Sequence, residues 1–166
     1  MTPRAASASV SASVSARLGW LAGLFILASG AHAHAAATCS ILNTSGVAFG
    51  AYDTFSTVPL DSTGLIAFRC TGVAQGDMLS IELGRGGIGA FLPRAMIYGR
   101  WRLEYNLFLD AARTVVWGDG TSGTSVYSTH PVEGQSVSVP IFGRALPRQN
   151  VAPGVYNDLI VLTMNY

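Results

Sequence analysis

The chain has 166 residues, with ten arginines, no lysine and nine acids, for a formal charge of +1. Charged residues are only 11% of the chain and stand singly, which excludes a nucleic-acid-binding face and an acidic tail. With 49% apolar residues it is not a disordered chain, and 19 glycines among many Val, Ile and Thr favour strands and turns over long helices.

Residues 1–37 read as a secretory signal peptide. Arg4 and Arg17 supply the positive region, Leu18 to Ala28 the apolar core, and Ala31 to Ala37 the small-residue cleavage region. The apolar core is about half of the roughly 20 residues that cross a bilayer, so it reads as a leader and not as a membrane anchor. The alternating Ala, Ser and Val between Ala5 and Ala16 would leave with it. Cleavage after Ala37 leaves a single domain, 38–166, with a net charge of −1 (eight Arg against nine acids).

The two cysteines, Cys39 and Cys70, both lie in that domain. An even count in an exported protein implies a disulfide. In the chain-entropy picture, closing a loop of that size contributes roughly 3–4 kcal/mol. Zinc is the competing reading, but two Cys with His130 fall short of four ligands.

No stretch sustains a helical apolar period; short β-like runs appear instead. They are Val47–Tyr52, Gly64–Cys70, Met78–Leu83, Trp101–Leu109, Thr114–Trp117, Ser136–Phe142 and Val155–Tyr166. Breaks rich in Gly, Pro, Asn and Asp separate them. About seven short strands predict an all-β antiparallel sandwich. The last run is the most informative: Tyr156, Asp158, Ile160, Leu162, Met164 and Tyr166 form one nearly all-apolar set, while the alternate set is mixed. The first set should face a core, and the strand should lie at a sheet edge.

Catalytic patterns are missing. His130 precedes Pro131 in a turn-like stretch and has no second His to share a metal. Gly84 to Gly89 lacks the Lys-Ser/Thr of a phosphate loop and reads as a wide connection. Trp117-Gly118-Asp119-Gly120 could hold a cation or a sugar, yet Asp-Gly is first of all a hairpin turn. No serine sits in a nucleophile motif, and nothing fixes Glu82 near Glu104. The residues call for no enzyme, cofactor or metal.

The phrases Phe49-Gly50-Ala51-Tyr52-Asp53, Leu60-Asp61-Ser62-Thr63-Gly64, Arg69-Cys70, Tyr105 to Gly120, Phe142-Gly143-Arg144 and Pro153 to Asp158 come in order. Together with the terminal strand they resemble the spore coat protein U domain family, the secreted pilin-like subunits of archaic chaperone–usher systems. The resemblance runs from Cys39 to Tyr166. It implies an immunoglobulin-like sandwich lacking one strand, which is supplied in trans. A periplasmic chaperone would fill the gap first, and a neighbouring subunit would do so after passage through an outer-membrane usher. The implied protein is a non-catalytic pilus subunit at the surface of a Gram-negative cell, with Tyr156, Ile160, Leu162, Met164 and Tyr166 meeting the incoming strand. Little precedes Cys39 after cleavage, so the subunit is expected to accept a strand without donating one, which suits a fibre tip. The alternative is a stand-alone secreted adhesin that would contact its ligand through Trp101, Trp117, Asp119 and the Gly84–Gly89 loop.

Overall fold

The computed structural model describes residues 36–166. The expected leader, residues 1–37, lies outside the described residues but for its last two positions. Among the described residues there are eight strands and no helix. They are β1 (Thr38–Ser45), β2 (Leu60–Thr71), β3 (Leu79–Leu83), β4 (Arg94–Tyr98), β5 (Trp101–Phe108), β6 (Tyr127–Thr129), β7 (Ser136–Ala145) and β8 (Leu162–Asn165). One sheet has the order β1-β2-β7-β5-β4 and the other β6-β3-β8, and the pairing between named strands is antiparallel throughout. The all-β antiparallel sandwich expected from the sequence is the observed architecture.

Alternation explains the long strands. In β2, Ile66, Phe68 and Cys70 are buried while Asp61, Thr63, Arg69 and Thr71 are exposed. In β3, Leu79, Ile81 and Leu83 point inward, and Ser80 and Glu82 point out. Successive strand side chains face opposite ways, so each sheet presents one apolar face, and the two faces merge in a single core. Trp117 is its largest member, and its indole N–H donates to the Ile81 carbonyl at 2.8 Å.

The disulfide joins Cys39 to Cys70, which face each other in the β1–β2 ladder, so the bond ties the first strand to the end of the second as expected. Across the β2–β7 ladder, Asp61 pairs bidentately with Arg144 (2.7 and 2.8 Å) and also meets Arg113 at 3.2 Å. The Arg144 hydrogen bond, with help from Arg113, holds the Asp61 carboxyl below the usual range.

Several sequence expectations need correction. β1, β4 and β6 carried no alternating signal: β1 is polar and depends on β2 and the disulfide for its pairing. Thr114–Trp117 is not a strand; Val116 and Trp117 make single bridges to Phe108 and Ser125. Only Leu162–Asn165 of the expected Val155–Tyr166 strand pairs regularly, because β3 ends at Leu83 and leaves the rest without a ladder partner. Val47–Tyr52 is not a strand either. The chain leaves β1 by crossing over Gly64, where a Cβ would stand 2.6 Å from the Ser45 carbonyl oxygen. It then lies as a strap across the inner face of the larger sheet.

Candidate functional site

The strap is held by its side chains. Val47 and Phe49 pack against Gly143 of β7, and Phe49 meets Tyr105 edge-on at 5.7 Å. Ser62 Oγ donates to the Ala48 carbonyl (2.6 Å). The Tyr52 hydroxyl donates to the Leu146 carbonyl (2.6 Å) and accepts from Gln149 N–H (2.9 Å). Opposite the strap runs the C-terminal segment. Between them lies a cavity of about 400 Å³, walled by Thr44 to Val47 and Phe49 on one side and Tyr156 to Ile160 with Leu162 on the other. Its floor is Ile66, Leu83, Met96, Tyr105, Leu107 and Ile141.

The backbone of the C-terminal wall is half used. Asn157 exchanges hydrogen bonds with Ile97 (2.8 and 3.4 Å), and the Val161 carbonyl accepts from Gly84 N–H at 2.8 Å. Backbone groups alternate sides along a strand, so those of Ile160 and Leu162 turn toward the cavity. Among the described residues, no backbone–backbone hydrogen bond joins residues 47–52 to any strand. Both walls therefore present unpaired N–H and C=O groups over an apolar floor.

The expected inward set falls where alternation placed it. Tyr156, Asp158, Ile160, Leu162 and Met164 are half-buried, whereas Tyr166 is exposed. Asp158, the one charge in the set, is fixed: Oδ2 accepts from the Tyr105 hydroxyl (2.8 Å) and Oδ1 from Gly87 N–H (2.7 Å). Burial, reinforced by that hydrogen bond, pushes the Tyr105 phenol far above its ordinary pKa and keeps it protonated. The alternate set is also apolar in part, with Val155 79% and Leu159 83% exposed.

The expected ligand contacts do not come together. Trp117 has no exposed surface and spends its N–H on Ile81, so it offers no face to a ligand. Asp119 accepts from the hydroxyl and backbone N–H of Thr121 (2.6 and 2.9 Å) within its own turn, and these bonds lower its pKa. Trp101 is half-buried at the start of β5 under the Arg100 guanidinium, 5.2 Å from its ring. Among the described residues, no group of three His, Cys, Asp or Glu could hold a metal. No helix there is long and apolar enough to cross a membrane.

Sequence reasoning missed Arg94, which is fully buried. Its guanidinium donates to the carbonyls of Leu83, Gly84 and Trp117 and to Asn106 Oδ1, at 2.8–3.3 Å, and stacks 5.0 Å from the Phe91 ring. Burial lowers its pKa. By fixing Gly84, Arg94 fixes the residue that anchors Val161. A lone charge in the apolar stretch Phe91 to Ile97 was the available signal. For Val47 and Phe49 the signal was present but pointed to a strand.

The family model described as Spore Coat Protein U domain matches residues 26–163. The chain belongs to the spore coat protein U domain family. "Protein U" of Myxococcus xanthus is 31% identical over 152 residues, covering 81% of this chain and 80% of its own. Among solved structures, this family member resembles a chain of the CsuC–CsuE chaperone–tip adhesion subunit pre-assembly complex, from the archaic chaperone–usher Csu pili of Acinetobacter baumannii. The TM-score is 0.53 at 20% identity, over 79% of this chain and 40% of that one. The spore coat protein U domain chain thus spans less than half the length of that match, and the likeness is one of fold: an immunoglobulin-like sandwich, open along one side.

Proposed function

We propose that this chain is a non-catalytic structural or adhesive subunit of a surface pilus built by a chaperone–usher pathway, and that a strand from another protein completes its sandwich. The observation that carries this reading is the apolar groove between Thr44–Phe49 and Tyr156–Leu162, whose two walls both hold unpaired backbone groups. An extended peptide supplies what such a groove lacks, side chains for the floor and a ladder for the walls. A small apolar ligand would leave the backbone unpaired. The likeness to a chain of a chaperone–tip adhesion subunit complex supports the same reading.

In this scheme a periplasmic chaperone fills the groove after export, and a neighbouring pilin replaces it at the outer-membrane usher. Tyr156, Ile160, Leu162, Met164 and Tyr166 form the receiving wall. β1 is paired with β2 from Thr38 onward and pinned at Cys39, which favours a subunit that accepts a strand without lending one, at a fibre tip.

Immunogold with an antibody raised against 38–166, on the Gram-negative cell that makes the protein, tests both levels. Label at fibre ends is expected. Label along the shaft overturns the tip position, and label confined to the cell interior overturns the pilus reading. Mass spectrometry of the mature N-terminus checks the cleavage after Ala37.

A further inference from the structure

We infer that Asp158 and the glycine loop Gly84–Gly87 form a clamp that sets the C-terminal wall of the groove in its strand-accepting position before any strand arrives. The inference deepens the strand-complementation reading and rests on it. The wall needs such a device because it has almost no ladder. Among the described residues, the backbone–backbone hydrogen bonds of 151–161 are those of Asn157 with Ile97 and of Val161 with Gly84. A segment so loosely tied would sample many positions, and only those aligned with an incoming backbone could accept it.

The loop grips the wall at both of its ends. Gly84 N–H donates to the Val161 carbonyl (2.8 Å), and Gly87 N–H donates to Asp158 Oδ1 (2.7 Å). The loop is itself fixed from beneath, because the Gly84 carbonyl accepts from Nε and Nη2 of the buried Arg94 (3.1 and 2.9 Å). Asp158 Oδ2 accepts from the Tyr105 hydroxyl on β5 (2.8 Å), so one carboxylate bridges wall, loop and larger sheet. As packing, an apolar residue would suit the inward set of Tyr156, Ile160 and Leu162 equally well. What the carboxylate adds is direction, through two charge-assisted hydrogen bonds. The loop composition follows from the close approach. A Cβ on Gly86 would stand 2.9 Å from Asp158 Cγ and closer still to Oδ2, and one on Gly87 would stand 3.3 Å from Oδ1. Gly86 also has a φ of +74°, which glycine adopts without strain. The glycine run is thus a seat for Asp158 and not only a wide connection.

Matched glycine variants of the full-length chain test the clamp. Gly86→Ala and Gly89→Ala both place alanine at positive φ in the same loop (+74° and +71°), but nothing lies within 4 Å of the Cβ added at Gly89. The probe is a synthetic peptide of alternating Thr and Val, about seven residues long to match Tyr156–Leu162, with C-terminal lysines for solubility. Apparent affinity falls with the fraction of molecules whose wall is in position. In isothermal titration, Gly86→Ala and Asp158→Ala should each bind at least about tenfold more weakly than the wild type, and Gly89→Ala within about twofold of it. In the double variant of Gly86→Ala with Asp158→Ala the added methyl has no carboxylate to strike, so its loss should match that of Asp158→Ala alone. Hydrogen exchange on the free chain is the independent measure. In Asp158→Ala the amides of Gly84, Ile97 and Asn157 should exchange faster along with that of Gly87, while those of β2 and β7 keep wild-type rates. A Gly86→Ala loss no larger than that of Gly89→Ala, additive losses in the double variant, or faster exchange confined to Gly87 would overturn the clamp and leave strand complementation standing. Failure of the wild type to bind the peptide would overturn the complementation reading and this one with it.

Discussion

Gly143→Ala isolates the strap from the rest of the fold. An added Cβ would sit 2.5 Å from Val47 Cγ1 and 2.9 Å from Phe49 Cζ. Carbon atoms in ordinary contact stay at least about 3.5 Å apart, so the overlaps are about 1 Å and about 0.6 Å. Neither neighbour can yield freely. Phe49 is wedged against Tyr105, and Tyr52 and Ser62 tether the strap at either side. Overpacking of this kind costs about 1–3 kcal/mol, or roughly 5- to 150-fold in the folded-to-unfolded ratio. Gly46→Ala is the control, since nothing lies within 4 Å of the Cβ it would add. It should be neutral or stabilise by up to about 1 kcal/mol by restricting the unfolded chain. Urea denaturation followed by tryptophan fluorescence reads both variants. If Gly143→Ala stays within about 0.5 kcal/mol of the wild type, the strap is not packed as described.

Four further outcomes follow from the same geometry. Cys39→Ser with Cys70→Ser should lower stability by roughly 3–4 kcal/mol in chemical denaturation, and the unreduced wild type should show about zero free thiols on titration. Trp117→Phe leaves the Ile81 carbonyl without its donor and should cost at least about 1–3 kcal/mol, seen as a lower Tm. Leu162→Asp puts a charge beside Leu83 at a half-buried position, costing several kcal/mol, so soluble accumulation at wild-type levels would count against its inward placement. The folded-state pKa of Asp61 is lowered, so its contribution is present above about pH 4 and vanishes as the pH falls through the lower folded value. Asp61→Asn should therefore be less stable than the wild type by up to about 1 kcal/mol at pH 7, with the difference shrinking as the pH falls below about 4, as thermal melts across that range would show.

The fold was legible where alternation is strong. Ile66, Phe68 and Cys70, or Leu79, Ile81 and Leu83, state which face is buried before any partner is known. The terminal set from Tyr156 to Met164 was legible for the same reason, and it contributes one wall of the groove. The other wall was not. Val47 and Phe49 alternate like strand residues, but whether they gain a ladder depends on a partner strand that no local pattern reports. Trp117 misled because an aromatic beside Asp-Gly looks the same whether it faces solvent or fills a core. Arg94 was overlooked because its acceptors, three carbonyls and an amide, come from segments up to 23 residues away. Long-range acceptors leave no mark on local sequence.

The order of the larger sheet also sets a timetable. β2 pairs with β1 just before it in the chain, but its other neighbour is β7, with Leu60 opposite Ala145. During synthesis at about 5–20 residues per second, β2 waits on the order of several seconds for that neighbour. Through that interval the other flank of β2 stays bare. The nascent chain is most prone to wrong pairing in this window, well before its final groove exists. Any escort that acts only on the finished groove arrives after the riskiest moment has passed.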